Sequence, residues 1–227
     1  MSSDTFNLDP PPGFRGLDPD RPIRKYIRHL PHWRQDGASY AVTFRLADSL
    51  PSSKLNMLAS MRREWEAKFP HPRSDEAWQE YARAVTNRVN EWLDQGCGDC
   101  HFKKPEFATE LARSILHFQN QRYHVASYVV MPNHCHLIMR PFDGHELEEL
   151  IGSIKGVTAR FVNRKLGRKD DLWQQESFDR ILRDEEHLYN AIQYIGHNPR
   201  AAGIAETDWY RWVDPEWEEL KWGFRDG

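Results

Sequence analysis

Residues 122–130, RYHVASYVV, and 134–140, HCHLIMR, are separated only by the tripeptide MPN. Three residues leave room for a tight turn and nothing more, so the two stretches must pair as an antiparallel hairpin. Every other element has to be arranged around that pair. Side chains alternate along a strand, so His134 and His136 face one way while Cys135, Leu137 and Met139 face the other. Neutral imidazole is the commonest metal-ligating side chain, and an i, i+2 pair offers two nitrogens to one ion. The other reading is a pair of core histidines hydrogen-bonded to backbone. Spacing alone leaves both open.

The flanking pattern predicts the remaining elements. SYAVTFRLA (39–47) alternates Tyr40, Val42, Phe44 and Leu46 against Ala41, Thr43 and Arg45, as a strand does. A helix starts at Ser52 or Ser53, with Leu58, Met61, Trp65 and Phe69 at helical spacing. Trp78, Tyr81, Val85, Val89 and Trp92 mark a second helix, and Pro105 opens a third with Phe107, Leu111, Ile115 and Phe118 inward. A fourth spans about 146–166, acidic at its start and basic at its end as the helix dipole favours. ESFDRILR (176–183) reads as a last strand. The segment 184–199 reads as a final helix, opened by acids and stopped by Pro199. The order is β-α-β-β-α-β with helices added: an α+β, ferredoxin-like antiparallel sheet with helices on one face, a helical insertion after the first strand, and a C-terminal helix. Such a sheet leaves its other face free for a site. The expected division is an extended arm at 1–36, a catalytic domain at 37–205 with the insertion at 53–120, and an acidic, Trp-rich tail at 206–227.

With 227 residues, 39% hydrophobic and 29% charged, the chain is long enough for one substantial core and is not disordered. No stretch is long and apolar enough for a membrane span, and the N-terminus lacks the apolar core of a secretory signal, so no membrane partner and a cytoplasmic location are expected. A net charge of −3 argues against a protein that coats nucleic acid indiscriminately. The charge is uneven, however: residues 15–34 and 151–183 are each +4, and residues 206–227 are −4. Three cysteines make no disulfide framework. CGDCH (97–101) matches a haem-attachment pattern or half of a zinc site, but neither export signal nor second ligand pair accompanies it, and a Gly-rich turn is the better reading. Most of the nine tryptophans lie at helical spacing and read as core. Trp173, Trp209, Trp212, Trp217 and Trp222 do not, and stacking on nucleic acid is the alternative for them.

The final helix separates the two readings of the histidines. AIQYIGHNPRAAGI places Tyr194 and Asn198 one turn apart on one side, beside Pro199. With VVMPNHCH, FDRILRDEEH and YIGHNPRAAG in this order, and YAVTFRLADS and SIKGVTARFVN around them, the chain resembles the REP-associated tyrosine transposases of the HUH-type single-tyrosine transposase superfamily. The resemblance runs from about residue 40 to 205, with Cys135 in the hydrophobic slot between the histidines. It implies a transposase, a DNA-nicking and strand-transfer enzyme. His134, His136 and Asn198 would hold Mg²⁺ or Mn²⁺, and Tyr194 would be the nucleophile that forms a 5′-phosphotyrosine. Single-stranded or hairpin DNA, including repetitive extragenic palindromes, is the implied partner, and the protein is expected as monomer or homodimer. Lys155, Arg180 and Arg183 match basic positions of the family. Together with Arg160 and Arg164 they are the expected DNA contacts. Competing classes are a non-catalytic nucleic-acid-binding module that kept the fold, a zinc hydrolase using water, which needs a third strong ligand, and a haem protein through CGDCH.

Overall fold

The computed structural model describes residues 8–27 and 31–225. Its centre is a five-stranded antiparallel sheet made of β3 (Tyr40–Arg45), β4 (Tyr123–Val130), β5 (His134–Pro141), β6 (Phe178–Ile181) and β7 (Tyr210–Val213), in the order β6-β3-β5-β4-β7. Without β7, this is the ferredoxin-like order expected from the strand and helix pattern. Turn and register follow the hairpin logic: Met131 N donates to the His134 carbonyl at 2.9 Å, and His136 lies opposite both Val129 on β4 and Thr43 on β3. A bulge between Val125 and Ser127 resets the alternation of β4, so Val125, Tyr128 and Val130 share one face, and Ala126 and Val129 share the other.

On the first face, Val42, Phe44, Cys135, Leu137 and Met139 are buried beneath α3 (Pro105–Leu116) and α4 (Leu147–Leu166), the two helices of the ferredoxin-like unit. Pro105 sits in the first turn of α3, and Gly167, at φ 66°, closes α4 in the left-handed region that favours glycine. The second face is not left free. Ile138, Val129 and Met131 are covered by Leu188, Ala191, Ile192 and Ile195 of α5 (Glu185–Ala201) and by Trp217 and Trp222. Trp217 belongs to the short α6 (Pro215–Glu219).

Other differences from the sequence reading concern ends and edges. The N-terminal arm is not a lone extended segment: β1 (Arg24–Ile27) and β2 (Pro31–Arg34) pair antiparallel. The insertion proper is α1 (Ser52–Lys68) and α2 (Asp75–Leu93), which share a small core of Trp78, Tyr81, Val85, Val89 and Trp92 with Leu58, Met61 and Trp65. α3, reckoned within residues 53–120, belongs to the main fold. Pro199 does not stop α5, which runs two residues further, to Ala201, with Ala202 N donating to the Asn198 carbonyl at 2.9 Å. A proline this close to the end deletes one backbone bond and leaves the following turn intact. Residues 206–225 are part of the fold: β7 adds an edge to β4, and Trp209, Trp217 and Trp222 are buried. Trp173 is core as well, in ring contact with Phe44 and Phe102, and Trp212 stacks on Tyr128. The Gly-rich turn at 96–100 is a turn: Asp48 accepts from Asp99 N at 2.7 Å, and a Cβ on Gly98 would meet the Asp48 carbonyl at 2.8 Å.

Candidate active site

The site forms where β5, β3 and α5 meet. His134 and His136 are 0% and 2% exposed, and their Nε2 atoms are 3.0 Å apart. Neighbours fix both rings. Asn133 Nδ2 donates to the carbonyls of Leu93 (3.3 Å) and Cys97 (3.0 Å), which orients the amide so that Oδ1 faces His134 Nδ1 at 2.7 Å. That oxygen can only accept, so the proton sits on Nδ1 and the lone pair on Nε2. His136 Nδ1 lies 2.8 Å from Thr43 Oγ1, and its Nε2 is 3.0 Å from the Asn198 amide. Burial pushes His136 down to about 4, and burial together with the His136 charge pushes His134 well below the ordinary imidazole range. Both rings are therefore neutral ligands at neutral pH.

Two lone pairs turned toward each other are spaced to ligate one cation, because two adjacent ligands of an octahedral ion at about 2.1 Å are about 3 Å apart. A half-turn of the Asn198 amide would add Oδ1 as a third donor. Among the described residues no group of three or more His, Cys, Asp or Glu side chains forms a metal site. The set is two imidazoles and an amide, short of what a structural or hydrolytic zinc site uses.

Tyr194 and Asn198 share one side of α5, as their spacing requires. Tyr194 is 44% exposed, with its ring edge-on to His136 and the centroids 6.3 Å apart. Its hydroxyl accepts a hydrogen bond from Asn90 Nδ2 at 3.0 Å. Between them opens a cavity of about 330 Å³ lined by Thr43, His136, Tyr194, Arg180 and Phe178 and, from α2, Thr86, Asn87 and Asn90. No residue of 206–225 lines it.

The basic residues divide. Arg180 lines the cavity; burial, with neighbouring Arg183 and Arg83, holds its guanidinium below the ordinary arginine pKa, while Tyr194 works in the opposite sense. Arg183 reaches Gln79 of α2 at 3.4 Å. The start of α5 holds them there: Asp184 caps His187 N at 2.7 Å, and His187 Nδ1, neutral because burial and then Arg180 push it to about 4, accepts from Arg183 N at 3.2 Å. Lys155, Arg160 and Arg164 do not join this group. All three belong to α4, which covers the opposite face of the sheet. The Lys155 ammonium donates to the carbonyls of Gln174 and Gln175, at 2.7 and 2.9 Å, so it clamps a loop. The pattern reading missed Asn90, Thr43 and Asn133. Of these only Asn133, adjacent to His134 within MPN, carried a signal in the sequence.

Residues 101–198 match the family model described as "Transposase IS200 like". The chain is 25% identical over 116 residues to a Haemophilus influenzae protein named as a REP-associated tyrosine transposase, covering 46% of this chain and 64% of that one. It thus spans about two-thirds or less of that relative's length. A solved structure of the REP-associated tyrosine transposase bound to a REP hairpin aligns over 81% of this chain and 76% of that one, at 14% identity and a TM-score of 0.38. The span 101–198 contains His134, His136, Tyr194 and Asn198, and across it the chain is similar to the IS200-like transposases, with a REP-associated tyrosine transposase among its relatives.

Proposed function

We propose that this protein cuts and rejoins single-stranded or hairpin DNA through a 5′-phosphotyrosine link at Tyr194, with Mg²⁺ or Mn²⁺ as cofactor. One observation supports the reading above the others: the exposed Tyr194 and the buried, neutral His136 border the same cavity, beside Arg180, and the His134 Nε2 lies 3.0 Å behind that of His136. A cation held by His134, His136 and Asn198 would polarise the scissile phosphate and offset the charge that builds up on it. The chain's own residues do the rest. Arg180 offers a second positive group to the phosphate oxygens. Asn90 donates to Tyr194 Oη, which favours the developing phenolate and leaves the hydroxyl hydrogen to depart toward the cavity water. As the new O–P bond forms in line, the bond to the 3′-oxygen breaks and that oxygen takes up a proton. The phosphotyrosine link conserves the bond energy, so a different 3′-hydroxyl can reverse the step and join another strand.

The test is a denaturing gel of labelled hairpin oligonucleotides incubated with protein and Mn²⁺ or Mg²⁺. The expected result is an SDS-resistant protein–DNA band that disappears with chelator, in Tyr194→Phe and in His136→Ala, and falls about 100-fold in Arg180→Ala. DNA binding with no adduct from any oligonucleotide would replace this reading with a non-catalytic binding module. Cleavage that survives Tyr194→Phe would replace it with attack by water.

A further inference from the structure

The helical insertion roofs a second cavity, of about 300 Å³, on the same face of the sheet as the histidines. Arg45, Leu55, Leu58, Tyr81, Val85 and Phe178 are among its lining residues. Arg45 sits on β3 opposite His134 and is 4% exposed. Its Nη1 donates to Ser49 Oγ at 3.1 Å and to the Leu46 carbonyl at 3.4 Å, while its buried Nε has no partner. Glu176 also borders the cavity, but its Oε1 is taken by His32 Nε2 at 2.8 Å. Among the described residues no ion pair to Arg45 is formed, and burial lowers it to about 10. The nearby Lys155 is lowered to about 8 by burial and by the Arg45 charge. A buried guanidinium without a carboxylate is a costly thing to keep unless an anion visits it.

The cavity also adjoins the candidate active site. Phe178 borders both cavities, and α2 lines one with Tyr81 and Val85 and the other with Thr86, Asn87 and Asn90. A cation beside an aromatic ring and an apolar wall is how single strands are held, phosphate on the charge and base on the ring. We propose that this second cavity is a subsite for one nucleotide of the strand that passes Tyr194, its phosphate on Arg45 and its base against Phe178 and Leu58. The proposal deepens the strand-transfer reading, and takes from it only that the occupant is DNA.

Fluorescence anisotropy with labelled hairpin oligonucleotides tests it, using flanks that carry a single abasic site moved position by position. The wild type loses about tenfold in affinity when the abasic site reaches one particular flank position. Leu55→Trp, at a wall residue that is 41% exposed and so tolerant of substitution, weakens binding of the intact oligonucleotide by a similar factor and is indifferent to the lesion. Arg45→Gln weakens binding and lowers the salt dependence by about one phosphate contact. Intact-oligonucleotide affinities equal to wild type in both variants overturn the subsite. The covalent adduct, scored in the same samples, separates the two ideas. Adduct from wild type with unchanged variant affinities removes the subsite and keeps strand transfer. Position-specific loss of affinity with no adduct keeps the subsite and removes strand transfer. A wild type that binds none of the oligonucleotides removes both.

Discussion

Asn133 uses both ends of one amide, its nitrogen on the carbonyls of Leu93 and Cys97 and its oxygen on His134. Asn133→Ala therefore releases the imidazole and removes one donor from each of two carbonyls, of which Leu93 keeps Gly96 N. The expected outcome is a 10–100-fold loss of Mn²⁺ affinity, read by calorimetric titration. A loss of about 1–3 kcal/mol of stability in urea should accompany it. Tyr194→Phe should leave stability within about 1 kcal/mol of wild type, because the exposed hydroxyl makes one hydrogen bond, to Asn90. At this scale the sequence was legible wherever partners are close along the chain. The two histidines lie on one strand, and Tyr194 and Asn198 on one turn of helix, so periodicity alone pairs them. Thr43 and Asn90 reach His136 and Tyr194 from 93 and 104 residues away. Strand register and helix docking bring them there, and neither has a local signature.

The long strands and helices of the main fold carry their own periodicity and could be read in advance, apart from a proline in the last turn of α5. The four-residue β1, β2 and β7 could not. Their stability comes from distant charges and edges, not from alternation. β2 is the clearest case. His32 is held by Asp179 and Glu176, each at 2.8 Å, and Arg34 by Asp179 at 2.9 Å and Glu148 at 2.6 Å. Burial works against the charge on His32, but the hydrogen bonds to Asp179 and Glu176 overcome it and raise the imidazole to about 9. A folded value above the unfolded one near 6.5 means that the stabilisation is complete below about pH 6.5 and fades as pH rises through about 9. Up to about 3 kcal/mol is at stake. Urea midpoints should fall between pH 6.5 and pH 9.5 in the wild type, and His32→Gln should flatten that slope. Asp179→Asn should cost more, about 3–5 kcal/mol, since it strips a buried carboxylate from two cations.

At the scale of the whole molecule, residues 9–12 and 217–225 meet behind α5. Trp217 Nε1 donates to the Pro12 carbonyl at 2.9 Å and Trp222 Nε1 to the Asp9 carbonyl at 3.1 Å. Gln193 of α5 grips the tail on both sides, donating to the Gly223 carbonyl and accepting from Arg225 N, each at 2.9 Å. Trp222, fully buried and in ring contact with Tyr189 and Trp217, should cost about 3–5 kcal/mol on Trp222→Ala, measured by urea unfolding. Gly196→Ala probes the same seam from the helix side. The added Cβ would fall 2.3 Å from the Phe224 ring, and a loss of about 1–3 kcal/mol is expected as the ring is displaced. None of this was visible in the tail's composition, which shows acids and tryptophans but not what they pack against.

The seam behind α5 has a consequence in time. Translation delivers Tyr194 before it delivers Trp217, Trp222 and Phe224, which back the helix that carries the tyrosine. A polypeptide stalled short of Trp209 thus owns every side chain of the histidine–tyrosine pair yet lacks the scaffold that holds them in register. The backing of α5 is therefore made only after the helix itself, and a fragment released before Trp217 would carry Tyr194 on a helix without its outer packing.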